Sequence, residues 1–224
     1  MGVDFDSFVL AASTADLTDE PAARKHADAI EFRMDLADDP LAALQAYDGE
    51  LPILATNRAE WEGGRAEDQG RLEALTEAAT FGPVEAIDVE LESILDGAAE
   101  QVLEAVRKRN VSLVASAHDF ETTPPRPEMV RTLTEAGKYA DVAKLAVTAE
   151  SRTDTLALLS ATEQLTAHGA TVATMAMGQL GSHTRAVAPV YGSKIGYAPV
   201  DPGEATAPGQ YDLETLADLV ARLV

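Results

Sequence analysis

The chain has 224 residues, of which 46% are hydrophobic and 25% charged, so it is long enough to bury the core of one globular domain. Its formal net charge is -21, with 17 Lys and Arg against 38 Asp and Glu, which disfavours binding to the phosphates of DNA or RNA. There is no Cys, which excludes disulfides, cysteine-ligated metal sites and a thiolate nucleophile.

The first residues, MGVDFDSFVLAAST, have neither the basic nor the long apolar segment of a secretory signal. No stretch approaches the ~20 apolar residues that cross a bilayer. We therefore expect a soluble cytoplasmic protein without membrane or nucleic-acid partners. Acidic residues are spread along the whole chain and only five residues are Lys, which predicts a protein from a halophile. A merely acidic mesophilic protein is the alternative.

Eight short apolar runs follow one another along the chain. Most are continuous rather than alternating, which is typical of parallel strands buried on both faces. They cover residues 8–13, 29–35, 52–58, 84–91, 111–118, 140–147, 170–177 and 194–200.

Helical patterns lie between and after these runs. Gly137 and Gly169 stand where helices commonly end, and Arg107, Lys108 and Arg109 complement the negative end of a helix dipole. The clearest helical patterns cover residues 70–82, 92–110, 126–138, 150–169 and 212–224.

The alternation of strands and helices has no long linker, which predicts a single α/β domain over residues 1–224, a (β/α)8 TIM barrel. A doubly wound open sheet is the alternative. It is disfavoured because no GxGxxG or GxxxxGK[ST] nucleotide-binding loop follows any strand.

Lys144 stands in the middle of the predicted strand ADVAKLAV, among apolar neighbours. A buried ammonium there is costly unless it is paired or neutral. An amine near neutral pH is what imine formation with a ketone or aldehyde requires, so Lys144 is the first candidate for catalysis. The alternative is a structural lysine whose ammonium reaches water from a strand end.

His118 ends the predicted strand VSLVASAH, where the loop DFETTPP begins. Side chains at the carboxyl ends of barrel strands point toward substrate, so His118 is a candidate for proton transfer. A hydrogen-bonded structural histidine is the alternative.

Further charged residues point to the same end of the barrel. In EFRMD, alternation places Glu31, Arg33 and Asp35 on the inner face, where they must pair with each other or with a ligand. Arg58 ends the next predicted strand, and Glu62 follows four residues later in TNRAEWEGG.

Arg185 follows the glycine-bearing turn MGQLGSHTR, and the loop 203–212 after the last strand offers hydrogen-bonding groups. Arginines directed to one end of such an acidic protein indicate an anionic ligand, a carboxylate or a phosphate. Structural ion pairs and a plain surface loop are the alternatives.

Taken together, these motifs resemble the type I 3-dehydroquinate dehydratases of the shikimate pathway, over nearly the full chain. The resemblance rests on seven motifs in order: EFRMD (31–35), ILATNRAEWEGG (53–64), SAHDFETTP (116–124), DVAKLA (141–146), MGQLGSHTR (177–185), YGSKIGYAPV (191–200) and APGQ (207–210).

The resemblance implies a barrel, usually homodimeric, that converts 3-dehydroquinate to 3-dehydroshikimate without a metal or organic cofactor. It implies that Lys144 forms an imine with the C3 ketone. His118 would remove the C2 proton and then protonate the departing C1 hydroxyl, with Glu62 orienting the histidine.

The family's substrate-binding positions correspond to Glu31, Arg33, Arg58, Arg185, Thr206 and Gln210, with Arg185 holding the substrate carboxylate. Two residues depart from the family pattern. Thr206 replaces a serine that many members carry, and Pro189 stands in a stretch that is usually helical.

Three other functions remain as alternatives. A class I aldolase-type lyase would share Lys144 but need a phosphate or aldehyde site. A divalent-metal enzyme would use Glu31, Asp35, Glu90 and His118 as ligands. A noncatalytic small-molecule binder on a barrel is compatible with the fold alone.

Overall fold

The computed structural model of the chain describes residues 3–201, 203, 207 and 209–224. All eight predicted strands are present in it. They are β1 Val9–Thr14, β2 Ala29–Arg33, β3 Ile53–Thr56, β4 Val84–Glu90, β5 Ser112–Asp119, β6 Val142–Thr148, β7 Val172–Met177 and β8 Ile195–Pro199.

The strands form one parallel sheet in the order β7-β6-β5-β4-β3-β2-β1-β8, so β1 pairs with both β2 and β8. The sheet curves into a nearly closed TIM barrel, which confirms the predicted fold class. At the seam between β7 and β8 the amide of Lys194 donates to the carbonyl of Val172 (2.8 Å). The amide of Thr174 donates to Ser193 Oγ (3.0 Å), so a side chain replaces a ladder hydrogen bond there.

Helices connect the strands around the outside of the barrel. The described helices are α1 Glu20–Ala23, α2 Pro40–Ala46, α3 Arg71–Ala78, α4 Leu91–Leu95, α5 Glu100–Arg109, α6 Arg126–Ala136, α7 Arg152–Thr166, α8 Gly178–Gly181, α9 Thr184–Val187 and α10 Leu213–Leu223. None of these is long and apolar enough to cross a membrane.

Two local predictions were wrong in detail. Residues 92–110 form two helices instead of one, because Gly97 takes a left-handed φ of 83° and Asp96 accepts the amide of Ala98 (2.9 Å). The strand predicted over 29–35 ends at Arg33 and continues as a 3-10 turn, Met34–Leu36. Gly137 and Gly169 do follow the ends of α6 and α7, as predicted, Gly137 with a φ of -66° and Gly169 with a left-handed φ of 82°.

Alternation along each strand sorts the side chains into two layers. In β2, Ile30 and Phe32 pack outward against the helices, whereas Glu31 and Arg33 point into the barrel, as predicted. Apolar side chains from the starts of the strands, including Val9 of β1, fill the inside together with Phe5. The polar inner positions therefore collect at the carboxyl end.

Candidate active site

A cleft opens at the carboxyl end of the barrel. Every predicted site residue that the structure describes lines it: Glu31, Arg33, Arg58, Glu62, His118, Lys144, Arg185 and Gln210. Thr206, the remaining predicted residue, lies outside the described residues.

Lys144 lies in β6 with its side chain only 5% exposed, so its ammonium does not extend to water. Its Nζ lies 2.9 Å from Asp88 Oδ2 and 4.3 Å from the centroid of the Tyr197 ring. The carboxylate and the aromatic face compensate for the lost hydration of a cation at this position. The sequence predicted that Lys144 is buried and either paired or neutral, and the structure shows it buried and paired.

Asp88 was not among the predicted site residues. It lies in β4, and its Oδ1 accepts from Arg58 Nη2 (2.8 Å) and Ser116 Oγ (2.6 Å). Burial alone would raise its pKa, but the charges of Arg58 and Lys144 and these hydrogen bonds hold the pKa of Asp88 well below its ordinary value. Asp88 is therefore a permanent negative charge beside the lysine.

The sequence did contain a signal for Asp88. In β4 it alternates with Ile87 and Val89, which pack outward, and it therefore shares the inner face with Glu90. This is the argument that identified Glu31 and Arg33 in β2, and it applies equally to the segment IDVE.

His118 and Glu62 form a hydrogen-bonded pair at the cleft. Glu62 ends the 3-10 turn Glu60–Glu62 after β3, and its Oε2 lies 2.5 Å from His118 Nδ1. The imidazole also stacks on Phe120, with ring centroids 5.6 Å apart and planes at 8°.

Burial favours the neutral form of both members of this pair. It raises the pKa of Glu62 to about 7, against the attraction of Arg58. Burial, followed by the charges of Arg58 and Lys144, lowers the pKa of His118 well below its ordinary value. When the pair loses its proton, Nδ1–H donates to the carboxylate and Nε2 is left unprotonated, ready to act as a base.

Arg58 holds several groups at once. Its guanidinium donates to Ser116 Oγ (2.7 Å) and Asp88 (2.8 Å) and lies 3.1 Å from Glu90 Oε1. Burial opposes its charge, yet Asp88 and Glu90 raise the pKa of Arg58 above its ordinary value. It remains charged and organises the base of the cleft.

The charges of the EFRMD motif pair as expected. Arg33 donates to both carboxylate oxygens of Asp35, at 2.8 and 2.7 Å. Glu31 accepts from Ser13 Oγ (2.5 Å) and Thr56 Oγ1 (3.3 Å). Glu31 thereby keeps an oriented carboxylate inside the cleft.

Arg185 and Gln210 close the other side of the cleft. Arg185 lies in α9 and is 4% exposed, and burial lowers its pKa to about 10 although Glu31 opposes the shift. Gln210 Oε1 accepts the amide of Ala207 (3.1 Å). Pro189 is the second residue of the 3-10 helix Ala188–Tyr191. A missing backbone amide is tolerated at the start of a helix, so Pro189 does not disturb α9.

Two of the four residues of the metal hypothesis form ion pairs with arginines. Asp35 pairs with Arg33, and Glu90 pairs with Arg71 (2.5 Å) and Arg58. Within the described part of the chain, no three acidic or histidine side chains come together as potential metal ligands.

Comparison with known proteins gives the family. The family model of type I 3-dehydroquinase matches residues 9–222. The chain belongs to the type I 3-dehydroquinase family. The match includes all seven motifs that carried the resemblance, and it confirms that resemblance.

Two relatives of this 3-dehydroquinase come from halophilic archaea. The 3-dehydroquinate dehydratase of Haloarcula marismortui is 57% identical, with 99% of this chain and 98% of the relative covered. That of Halobacterium salinarum is 53% identical, with 99% and 100% covered. These similarities confirm the predicted halophile origin.

A solved structure supports the same fold. The crystal structure of 3-dehydroquinate dehydratase from Geobacillus kaustophilus is 28% identical and has a TM-score of 0.86, with 97% of this chain and 91% of that chain covered.

Proposed function

We propose that this chain is a 3-dehydroquinate dehydratase, a hydro-lyase that converts 3-dehydroquinate to 3-dehydroshikimate on the route to chorismate and the aromatic amino acids. Two relatives have this name, and the similarity covers 98% and 100% of their length. The observation that carries the mechanism is the pairing of buried Lys144 with Asp88 in the same cleft as the His118–Glu62 pair.

The reaction begins at Lys144. Its ammonium loses a proton, and the resulting amine attacks the C3 ketone. The carbonyl oxygen takes up that proton and a second one from the nitrogen and leaves as water, so the nitrogen becomes a protonated imine. Asp88, 2.9 Å from Nζ, stabilises the cationic imine as a fixed counter-charge. The iminium then withdraws electrons from C2 and makes its proton acidic.

His118 performs the proton transfers. With Glu62 ionised, Nε2 removes the C2 proton, and the electron pair moves into the iminium to give an enamine. The enamine electrons then expel the C1 hydroxyl, which takes the same proton from His118 and leaves as water. A second water hydrolyses the conjugated imine, which releases the enone product and restores Lys144.

Cationic and polar groups around these two residues would orient the substrate. Arg185 would bind the substrate carboxylate, because its planar guanidinium lines the cleft and favours bidentate contact with an anion. Glu31, Arg33, Arg58, Thr206 and Gln210 are the further binding residues of this proposal. No cofactor or metal is required, since the lysine supplies the electron sink.

Incubation with 3-dehydroquinate and borohydride tests the proposal. We expect enone formation by the untreated enzyme and, after reduction, an intact mass increased by one adduct on Lys144. An aldolase-type lyase would give an adduct without enone, and a noncatalytic binder would give neither. Either result would contradict the dehydratase function.

The remaining expectations are assembly, location and domain content. We propose a homodimer, because Leu156, Leu180, Val190 and Tyr191 expose large apolar side chains on α7, α8 and the adjoining 3-10 turn. Sedimentation at high salt distinguishes a dimer from a monomer. Location in the cytoplasm and a single catalytic domain over residues 1–224 stay predictions.

A further inference from the structure

We propose that the buried pair Arg71–Glu90 is a positioning device, which holds the loop carrying Glu62 so that its carboxylate meets His118. Neither residue belongs to the catalytic set described above, although Glu90 contacts Arg58. The inference rests on the proposed dehydratase function.

Glu90 joins three parts of the molecule through one carboxylate. It lies at the end of β4 and is 1% exposed. Its Oε1 accepts the amide of Ala59 (3.1 Å) and lies 3.1 Å from Arg58 Nη1, and its Oε2 lies 2.5 Å from Arg71 Nη1. The start of the loop after β3 is therefore fixed to the barrel by Glu90.

Arg71 fixes the other end of the same loop. It is the first residue of α3, and its guanidinium also donates to Ser93 Oγ (3.0 Å). Its carbonyl accepts from Asn57 Nδ2 (3.1 Å), which joins the two ends of the loop. Glu62 lies between the two ends of the loop, in a short 3-10 turn, and its Oε2 lies 2.5 Å from His118 Nδ1.

The loop between these anchors is compact and leaves little room for adjustment. The amide of Ala66 donates to the carbonyl of Arg58 (3.0 Å), and the amide of Gly64 donates to that of Ala59 (2.8 Å). A Cβ on Gly64 would lie 2.0 Å from the Arg58 carbonyl oxygen. A shift of either anchor would therefore move Glu62.

The pair also sets the charge balance around Glu62. Charged groups face the His118–Glu62 pair from several strands: Arg33 of β2, Arg58 after β3, Asp88 and Glu90 of β4, and Lys144 of β6. Glu90 raises the pKa of Glu62, and Arg71 partly neutralises Glu90. The change in charge therefore shifts the titration of Glu62 to higher pH when Arg71 is removed and to lower pH when Glu90 is removed.

Two substitutions separate positioning from simple stability. Arg71→Met leaves the charge of Glu90 less compensated, so the acid limb of kcat/KM moves to higher pH. Glu90→Gln keeps an acceptor for Ala59 but removes the negative charge, so the limb moves to lower pH. We expect kcat to fall about 10- to 100-fold in both, because a misplacement near 1 Å has this effect. KM should change less in Arg71→Met, because its partners Glu90 and Ser93 are not among the proposed substrate-binding residues, whereas Glu90→Gln also removes a partner of Arg58.

Trp61 provides a direct report on the loop. It is the chain's single Trp, its ring lies 5.9 Å from the Arg71 guanidinium, and its Nε1 donates to Asp68 (2.9 Å). We expect Arg71→Met to change its emission and its quenching by iodide. Borohydride trapping on Lys144 should continue in this variant, because Asp88 and Lys144 lie on strands rather than in the loop.

Arg24→Met is the matched control. Arg24 binds Glu20, which is 1% exposed and accepts the amides of Glu50 and Leu51, so a buried carboxylate again joins an arginine to loop amides. This pair does not line the cleft. Arg24→Met should lower the melting temperature yet leave kcat, the pH profile and Trp61 emission unchanged.

The outcomes distinguish this proposal from the dehydratase function itself. If the unaltered enzyme forms no enone from 3-dehydroquinate, the dehydratase function itself is wrong. If it does, and folded Arg71→Met keeps its kcat and acid limb, the positioning role is wrong. Should Arg71→Met not fold, Glu90→Gln decides alone: an unchanged kcat and an acid limb that does not move to lower pH overturn the proposal.

Discussion

Ser116 and Lys144 are direct partners in the parallel register of β5 and β6, and both bind the same carboxylate of β4. The Ser116 hydroxyl donates to Asp88 Oδ1 (2.6 Å) and Lys144 Nζ to Oδ2 (2.9 Å). Three adjacent strands therefore place the lysine against a fixed negative charge. This arrangement explains how an ammonium is accommodated inside the barrel before it reacts.

Lys144→Ala should abolish both enone formation and borohydride trapping, because no other amine occupies this position in the cleft as described. Asp88 would keep Arg58 and Ser116 as partners, so the fold should persist. Binding of 3-dehydroquinate through Arg185 should survive in part, which calorimetry at high salt can measure. Residual trapping at wild-type rate would place the imine on another lysine.

Glu62→Gln should weaken catalysis and shift its pH dependence. The pKa of Glu62 is raised to about 7, so kcat/KM of the unaltered enzyme should rise through that pH as the His118–Glu62 pair loses its proton. In the variant only His118 titrates, with its pKa well below the ordinary value, and the acid limb should move to lower pH. The plateau should also fall, but less than in a histidine deletion. Coincident profiles would contradict the pair.

High salt should stabilise the fold. The 38 carboxylates repel one another when screening is weak, and the Debye length falls to about 3 Å only near molar salt. Melting temperatures should therefore rise from about 0.1 to about 3 M KCl. A melting temperature that does not depend on salt would contradict a halophilic requirement.

Tyr197→Phe should retain activity and not destabilise the protein. The Tyr197 hydroxyl is buried and makes no hydrogen bond to any residue that the structure describes, while its ring faces Lys144 at 4.3 Å. Removing an unpaired buried hydroxyl is worth up to about 1–3 kcal/mol. Thermal melts and kcat test this together, and a large loss of either would show that the hydroxyl has a partner in the working enzyme.

The sequence predicted much of the fold because strand alternation is a local property. In β2 the outward Phe32 and the inward Glu31 followed from spacing alone. The hydrogen bonds from Arg58 to Asp88 and Ser116 could not be predicted in this way. They join three strands, and the register between strands is fixed only when the barrel forms. The break at Gly97 was missed because the hydrophobic pattern continues across it.

His118→Ala separates the proton transfers from imine formation. Without the imidazole, Lys144 and Asp88 keep their contact, since neither depends on His118 for a hydrogen bond in the described structure. The variant should therefore still form an adduct that borohydride traps, although more slowly, because imine formation also requires proton transfers. Elimination should fall by about 10² to 10⁴, the usual effect of losing general acid–base catalysis.

Phe120 has no basic group, and the Glu62 carboxylate contacts Nδ1, on the side of the imidazole away from Nε2, so neither occupies the position of the base. The measurement is intact mass after reduction, combined with single-turnover absorbance of the conjugated enone. A trapped adduct with little enone is the expected result, since the lysine still activates C2 but nothing removes its proton. Near-normal enone formation would mean that another group is the base, and the assignment of His118 would then have to be abandoned.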